Sequence, residues 1–246
     1  MKAFVQRELE QPGVIANINY YAAFWGLRER GFEIELFTFR ELALLPLERE
    51  ALVVGGIGTI LKAFELLGVP YEPLDSVPPE LSAFAGRRLW RSTLGQVRAL
   101  FDGHENAPIF IKPLPHDFKL FAGHVVAGFR DLISTGSLPP ETPLRCAETV
   151  PFASEYRCFV HRGEIIGAKH YAGDFRLSPD WSIVEAAQRA YEKPPIGGAM
   201  DFGVTQDGRT LLVEVNDGFS LGHYGLTPNL YAALLADRWL ELTGAS

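Results

Sequence analysis

Apolar and polar positions alternate along the first 80 residues in a way that predicts a series of strands and helices. Short apolar runs mark the strands, and Gly31 and Gly68 follow segments with helical spacing, as helix C-caps do. The predicted elements are strands at residues 3–5, 32–39 and 51–54 and helices at residues 17–30 and 59–67. Alternation of this kind favours an α/β lobe with a parallel sheet. The lobe would end at the Pro-rich residues 77–80, so we predict a first domain at residues 1–80.

The pattern after residue 80 predicts further helices and strands, and antiparallel pairing begins only after residue 150. We predict a helix at 87–101 whose arginines form a solvated face and strands at 108–113 and 145–150. Antiparallel strands follow, and then an amphipathic helix at 228–242. The second domain, residues 81–246, would comprise a central lobe (81–147) and a C-terminal lobe (148–246). The predicted fold class is therefore α/β (α+β).

Composition and charge narrow the functional classes. Hydrophobic residues make up 47% and charged residues 22% of the 246 residues, as in an ordinary folded domain. A net charge of -7 gives no electrostatic basis for general nucleic-acid binding. No signal segment or bilayer-spanning run is visible, and the only cysteines are Cys146 and Cys158, which we interpret as buried thiols. We therefore predict a cytoplasmic protein without nucleic-acid or membrane partners.

Residues 198–218 carry the strongest local signal in the chain. Asp207-Gly208 lies between two alternating runs and predicts a two-residue hairpin turn, which would set Asp201 opposite Glu214. Because side chains alternate between the faces of a strand, the two faces of the hairpin differ. The predicted core face carries Phe202, Val204, Leu211, Val213 and Val215, and the other face carries Asp201, Glu214 and Asn216.

The opposed carboxylates indicate a metal site. Directly opposite side chains lie ~4.5–5.5 Å apart at Cβ, where like charges destabilise a sheet. A bound cation removes that repulsion, and two carboxylates with one amide are hard oxygen ligands that suit Mg²⁺. We therefore predict Asp201, Glu214 and Asn216 as metal ligands. The alternative, two acids that merely point into solvent, stays open at this point.

These motifs resemble those of the ATP-grasp superfamily. The match is an Asp followed by Glu-x-Asn, here Asp201, Glu214 and Asn216, which in that family ligate the magnesium ions on ATP. Upstream, residues 109–113 are similar to the family's strand whose lysine, here Lys112, reaches the nucleotide phosphates. The resemblance implies an ATP-grasp fold with an N-terminal α/β pre-grasp lobe and an antiparallel C-terminal lobe.

The same resemblance implies the remaining nucleotide contacts. Residues 147–150 resemble the hinge strand that binds adenine through its backbone, and Glu155 matches the glutamate that binds ribose. A compact clade of the superfamily is marked by one arginine and two lysines, matched here by Arg157, Lys112 and Lys119. The implied cofactor-binding residues are Lys112, Lys119, Glu148, Thr149, Val150, Glu155 and Lys169, with Lys112 and Arg157 also catalytic.

Several positions depart from the family pattern or have a plain alternative. Residues 114–123 are poor in glycine for a phosphate-covering loop, and Pro151 has no N–H to offer adenine. Lys119 is equally compatible with simple solvent exposure, and Glu155 and Arg157 with structural ion pairing. A turn at residues 161–164 would place Lys169 on the sheet face opposite Arg157.

The resemblance implies an ATP- and Mg²⁺-dependent ligase that joins a carboxylate to an amine, or another nucleophile, through an acyl phosphate. Two alternatives stay open: a nucleotide-binding regulatory module without ligase activity, and a small-molecule kinase. The second substrate would be a small molecule or a peptide, with His223 and Tyr224 as candidate contacts in the loop that follows the metal strand. A homo-oligomer is compatible with the sequence.

Overall fold

The N-terminal lobe contains a three-stranded parallel sheet. The structure is a computed structural model that describes residues 1–7, 14–103, 106–114 and 120–245. The elements of this lobe are strands β1 (Lys2–Gln6), β2 (Glu33–Phe37) and β3 (Leu52–Val54) and helices α1 (Ile18–Glu29) and α2 (Ile57–Leu67). Both β2 and β3 pair with β1 in parallel, in the order β2-β1-β3. The predicted α/β lobe with a parallel sheet is confirmed.

Local signals in the sequence set the ends of these helices. The side chain of Asn17 accepts hydrogen bonds from the backbone N–H groups of Asn19 and Tyr20 at the start of α1. Gly31 and Gly68 follow α1 and α2 with φ of 77° and 64°, which glycine adopts without steric cost. Both glycines were predicted to end helices, and they do.

The middle of the chain forms a four-stranded antiparallel sheet. Its elements are β4 (Leu89–Thr93), β5 (Ile109–Pro113), β6 (His124–Val126) and β7 (Pro143–Glu148), with helices α3 (Ser82–Ala85) and α4 (Leu94–Phe101). The strand order is β4-β7-β5-β6. The strand predicted at 108–113 is observed as β5, which begins one residue later.

The helix predicted at residues 87–101 is wrong in its first half, which forms β4. A capping box sets the start of α4: the Thr93 hydroxyl accepts from the Gln96 N–H, and the Gln96 side chain accepts from the Thr93 N–H. Pairing of β4 with β7 overrides the helical spacing before that point. The predicted solvated face of arginines is wrong in part: Arg87 and Arg98 donate to backbone carbonyls, while Arg88 and Arg91 are exposed.

The C-terminal part of the chain forms a second antiparallel sheet, as predicted. Its elements are β8 (Phe152–His161), β9 (Glu164–Gly173), β10 (Gly197–Thr205) and β11 (Thr210–Asp217), with helices α5 (Trp181–Ala190) and α6 (Pro228–Thr243). The strand order is β11-β10-β8-β9, so β11 is an edge strand. Throughout the parts of the chain that the structure describes, no helix is both long and apolar enough to cross a bilayer.

The last helix joins the N-terminal lobe to the rest of the molecule. Trp239 of α6 stacks on Phe64 of α2, with ring centroids 5.4 Å apart, inside one continuous apolar core. Close contact between α6 and α1 requires a glycine at position 26, because a Cβ there would overlap the carbonyl group of Pro228. The N-terminal lobe therefore shares its core with α6, and the domain division at residue 80 stays a prediction.

Candidate nucleotide and metal site

Four charged side chains form a row across the C-terminal sheet. Strand pairing places Glu214 of β11 opposite Asp201 of β10, Asp201 opposite Arg157 of β8, and Arg157 opposite Lys169 of β9. Directly paired residues of antiparallel strands project from the same face of a sheet. This charge row (Glu214, Asp201, Arg157, Lys169) thus has two acids at one end and two bases at the other.

The turn that leads to Glu214 differs from the predicted one. Val204 pairs with Thr210, and the Thr205 N–H donates to the carbonyl of Arg209, so the loop has three residues, 206–208, instead of two. Gly208 takes the left-handed φ of 83° that such a loop requires.

A β-bulge restores the pairing that the two-residue turn had predicted. Phe202 pairs with Leu212 but Asp201 pairs with Glu214, which leaves Val213 as the extra residue on β11. The bulge offsets the longer loop, so the predicted Asp201–Glu214 pairing is observed. The predicted core face is wrong in part: Leu212, fully buried beside Phe202, replaces Leu211 and Val213 there.

A second bulge corrects the expectation for Lys169. Val160 pairs with Ile165 but Phe159 pairs with Gly167, so Ile166 is an extra residue on β9. Lys169 therefore lies opposite Arg157 and on the same face, whereas an unbroken register would have put Ala168 there. The predicted placement of Lys169 on the other face is wrong.

Arg157 and Asp201 form a buried ion pair at the centre of the charge row. Arg157 Nε and Nη2 donate to the two carboxylate oxygens of Asp201 at 2.8 and 2.7 Å, and Asn216 Nδ2 donates to Asp201 Oδ2 at 3.1 Å. Burial raises the pKa of Asp201, and the bonds from Arg157 oppose that rise. Burial alone would lower the pKa of Arg157, but the bonded Asp201 raises it above its ordinary value.

Lys112 connects the charge row to the middle sheet. Its Nζ donates to Glu214 Oε2 at 2.8 Å, and both side chains are partly exposed, at 23% and 33%. Lys112 pairs across the sheet with Arg145, which forms its own ion pair with Asp75. Glu214 is therefore the partner that a lysine at the end of an apolar strand needs.

Two cavities meet at Lys112 and Glu214. The first, of about 230 Å³, lies between the middle and C-terminal sheets. It is lined by the predicted hinge residues Glu148, Thr149 and Val150, by Glu155, and by apolar side chains such as Phe110 and Val125. The second, of about 280 Å³, faces the N-terminal lobe and is lined by Asn216, Ser220 and Tyr71 among others.

Three other predicted nucleotide contacts form hydrogen bonds within the chain. The Glu148 carboxylate accepts from the Arg88 N–H at 3.0 Å, and the Thr149 hydroxyl donates to a backbone carbonyl at 3.4 Å. Glu155 accepts from the Tyr171 hydroxyl at 2.7 Å, so it pairs with this phenol instead of with an arginine. Lys119 lies outside the described residues.

A model of an ATP-grasp domain, R2K clade family 2, matches residues 84–234, more than half of the chain. The chain belongs to the ATP-grasp family. The predicted fold class is thereby confirmed, and so is the resemblance on which it rested. No curated protein matches the chain in sequence.

Solved structures show the same fold at low sequence identity. D-cycloserine synthetase DcsG superposes with a TM-score of 0.59 at 14% identity, covering 97% of this chain and 99% of that one. A RimK domain ATP-grasp protein from Sphaerobacter thermophilus gives 0.55 at 14%, covering 96% and 98%. D-alanine–D-alanine ligase from Bacillus anthracis complexed with ATP gives 0.54 at 15%, covering 99% and 97%.

The donor set of this ATP-grasp chain fits a hard divalent cation. Asp201, Glu214 and Asn216 offer carboxylate and amide oxygens on adjacent strands, as Mg²⁺ prefers. Within the described segments, no group of three or more His, Cys, Asp or Glu side chains could hold a metal unaided. Further ligands would therefore come from phosphates and water, which is how Mg²⁺ is commonly held beside nucleotides.

Aromatic side chains cover the basic end of the charge row. Tyr224 lies over the guanidinium of Arg157 at 4.8 Å and stacks on Tyr171 at 5.2 Å between ring centroids. Sequence reasoning singled out Tyr224 but missed Tyr171, although its position two residues after Lys169 on one strand was a usable signal. His223, the other candidate, bonds through its backbone N–H to Asn19.

Proposed function

We propose that this ATP-grasp chain is an ATP- and Mg²⁺-dependent ligase that joins a carboxylate to an amine through an acyl phosphate. The charge row carries the proposal. Two adjacent acids are suited to a metal on the triphosphate, and two adjacent bases lie beside them, where negative charge would have to be stabilised during phosphoryl transfer.

The nucleotide would occupy the cavity between the two antiparallel sheets. Glu148, Thr149 and Val150 line that cavity with apolar neighbours that suit a purine, and Glu155 lies where it can accept from ribose hydroxyls. Lys112, at the junction of both cavities, would exchange Glu214 for phosphate oxygens. Lys119, from the segment that follows β5, is proposed as a second phosphate contact.

Asp201, Glu214 and Asn216 would hold the metal. When bound, Mg²⁺ supplies charge neutralisation on the phosphate oxygens. Arg157 keeps Asp201 in a fixed orientation through two hydrogen bonds. Lys169 has no carboxylate within ion-pair distance among the described residues, so its charge is available to a substrate anion or a phosphate.

The reaction would proceed in two balanced steps. A carboxylate oxygen of the first substrate attacks the γ-phosphorus of ATP, and ADP leaves. An amine then attacks the acyl carbon, phosphate leaves, and the amine proton passes to solvent. The chain contributes by positioning and by charge, since side chains need not form a covalent bond. The structural neighbours named as a synthetase and a ligase agree with this class, but at 14–15% identity they supply no substrate for this chain.

Hydroxylamine trapping tests the proposal without knowledge of the amine. The purified protein is supplied with Mg-ATP, hydroxylamine and a panel of amino acids, small carboxylic acids and short peptides, with Glu214→Gln as the matched control. A ligase forms hydroxamate, ADP and phosphate in equal amounts with at least one acid. A kinase would form ADP and a stable phosphorylated product without free phosphate, and a regulatory module would bind Mg-ATP without turnover; either result contradicts the proposal.

A further inference from the structure

Arg87 lies outside the charge row but is bonded to the strand that carries Glu214. Its Nη1 donates to the Leu212 carbonyl at 2.8 Å, and its Nη2 donates to the Val213 carbonyl at 2.9 Å. Nη1 also donates to the Ala85 carbonyl at 3.1 Å. Among the described side chains, no carboxylate forms an ion pair with Arg87, although Glu214 lines the same cavity. The Arg87 guanidinium therefore donates its hydrogen bonds to backbone carbonyls.

These contacts occur at the bulge on β11. Carbonyl groups of consecutive residues point to opposite edges of a regular strand, so one side chain does not reach both. The extra residue, Val213, changes the direction in which the carbonyl groups point at the bulge, and the forked guanidinium of Arg87 donates to both of them. Because β11 is the edge strand, no strand of the described residues pairs with these groups on that side.

The bulge determines which residue faces Asp201. The three-residue loop pairs Val204 with Thr210, and an unbroken continuation of that register would set Val213 opposite Asp201. Glu214 would then point to the other face, since a slip of one residue reverses the side of a strand. The acid pair at the end of the charge row thus depends on the bulge.

We propose that Arg87 is a positioning residue that holds the bulge at Val213 and thereby places Glu214 beside Asp201 on the metal-binding face. This inference rests on the proposed Mg-ATP site. Arg87 acts through the backbone of β11, and the requirement is for a forked donor, which lysine does not provide.

Calorimetry with Mg-ATP, and with ATP in EDTA, tests this role. Arg87→Met should weaken Mg-ATP binding by about 10–100-fold, as loss of outer-shell support does at metal sites. Metal-free ATP binding should stay within about twofold. Arg87→Lys should behave as Arg87→Met does. Arg88→Met is the matched control, because Arg88 is the exposed neighbour that lies over Trp90 and makes no bond to β11.

Removal of Val213 provides a rescue that only the positioning role predicts. Deletion of this residue leaves the pairs Phe202–Leu212 and Asp201–Glu214 in one unbroken register, so no bulge needs support. Adding the deletion to Arg87→Met should therefore restore Mg-ATP affinity to within about twofold of the deletion alone. In the Glu214→Gln background, Arg87→Met should cost no more than about twofold.

Three results would overturn the role of Arg87. They are equal losses of ATP affinity with and without metal, wild-type Mg-ATP affinity in Arg87→Lys, or additive losses of Mg-ATP affinity in the Glu214→Gln background. Each would indicate direct nucleotide contact or a charge effect. Hydrogen exchange of the peptide covering β11 gives a ligand-independent readout, which should be faster in Arg87→Met and unchanged in Arg88→Met. If wild type fails to bind Mg-ATP, the proposed function fails, while unaltered exchange in Arg87→Met contradicts the bulge assignment.

Discussion

Asp201→Ala and Glu214→Gln should affect the stability of the ligand-free protein very differently, although both remove a proposed metal ligand. Asp201 is 2% exposed and bonded to Arg157, which is 7% exposed. Glu214 forms a partly exposed pair with Lys112. Asp201→Ala therefore breaks a buried ion pair, whereas Glu214→Gln breaks a partly exposed one, and the loss of stability should differ accordingly.

The burial of each ion pair sets the expected change in the free energy of unfolding. Removing one partner of a buried ion pair leaves an uncompensated buried charge and costs about 3–5 kcal/mol, which is the expected loss for Asp201→Ala. Exposed pairs contribute about 0.2–1 kcal/mol, so Glu214→Gln should change the free energy of unfolding by no more than about 1 kcal/mol. Relief of repulsion between Glu214 and Asp201 further offsets the loss of the Lys112 contact.

Urea denaturation of the ligand-free proteins at one pH measures both values. Asp201→Ala combined with Arg157→Met should be no less stable than Asp201→Ala alone, since removing both charges leaves neither one buried without a partner. Mg-ATP should raise the melting temperature of wild type by more than that of either single variant. A loss below about 1 kcal/mol for Asp201→Ala, or an equal loss for Glu214→Gln, would refute this account of the ion pair.

Three further predictions concern the nucleotide, the thiols and the packing of helices. Lys112→Ala should weaken ATP binding by about tenfold or more, because a charged hydrogen bond is worth about 1.5–3 kcal/mol. The free energy of unfolding should stay nearly unchanged, and equal ATP affinities of wild type and variant in calorimetry would contradict the prediction. Burial raises the pKa of Cys146 to about 11 and of Cys158 to about 12, so at pH 8 fewer than about one thiol in a thousand is ionised and iodoacetamide should label neither before unfolding. Gly26→Ala should cost about 1–3 kcal/mol through overlap with Pro228, whereas Gly58→Ala, where a Cβ meets open space, should stabilise by up to about 1 kcal/mol; denaturation curves in the reverse order would refute the packing argument.

Much of the N-terminal lobe was predictable because its signals are local. An Asn cap, two glycines in left-handed conformation and an apolar strand act within a few residues of where they stand. The failure at residues 87–101 has the opposite origin. There, pairing with β7, at least 50 residues away, decides the conformation of Leu89–Thr93, and only the Thr93–Gln96 capping box marked the true helix start.

The acid pair was predicted correctly through two errors that cancel. A two-residue turn without a bulge and a three-residue loop with a bulge both set Asp201 opposite Glu214. No local signal distinguishes them, because the bulge is held by Arg87, more than 100 residues away. The unrecognised loop length also explains the wrong core face, since Leu212 pairs with Phe202 only when the loop has three residues.

Partners in the charge row were beyond the reach of sequence reasoning for a related reason. Glu155 and Arg157 were considered as members of structural ion pairs, and Asp201 as a metal ligand, but the Arg157–Asp201 bond requires the pairing of β8 with β10 across about 40 intervening residues. Lys112 bonds to Glu214 only because the middle sheet faces the C-terminal one. Such contacts depend on how the sheets pack, and neither the hydrophobic periodicity nor the composition of the sequence indicates that packing.

The two bulges share one consequence for the charge row. Without them, Val213 would face Asp201 and Ala168 would face Arg157, leaving a closed ion pair with apolar neighbours. With them, Glu214 stands beside another acid and Lys169 beside another base. Like charges in directly paired positions lower stability, so a fold selected for stability alone would keep the unbroken strands. Departures from local rules that cost stability concentrate at functional sites, and here two separate ones converge on one face. That convergence favours a ligand with both cationic and anionic groups, as Mg-ATP has, over a structural ion pair.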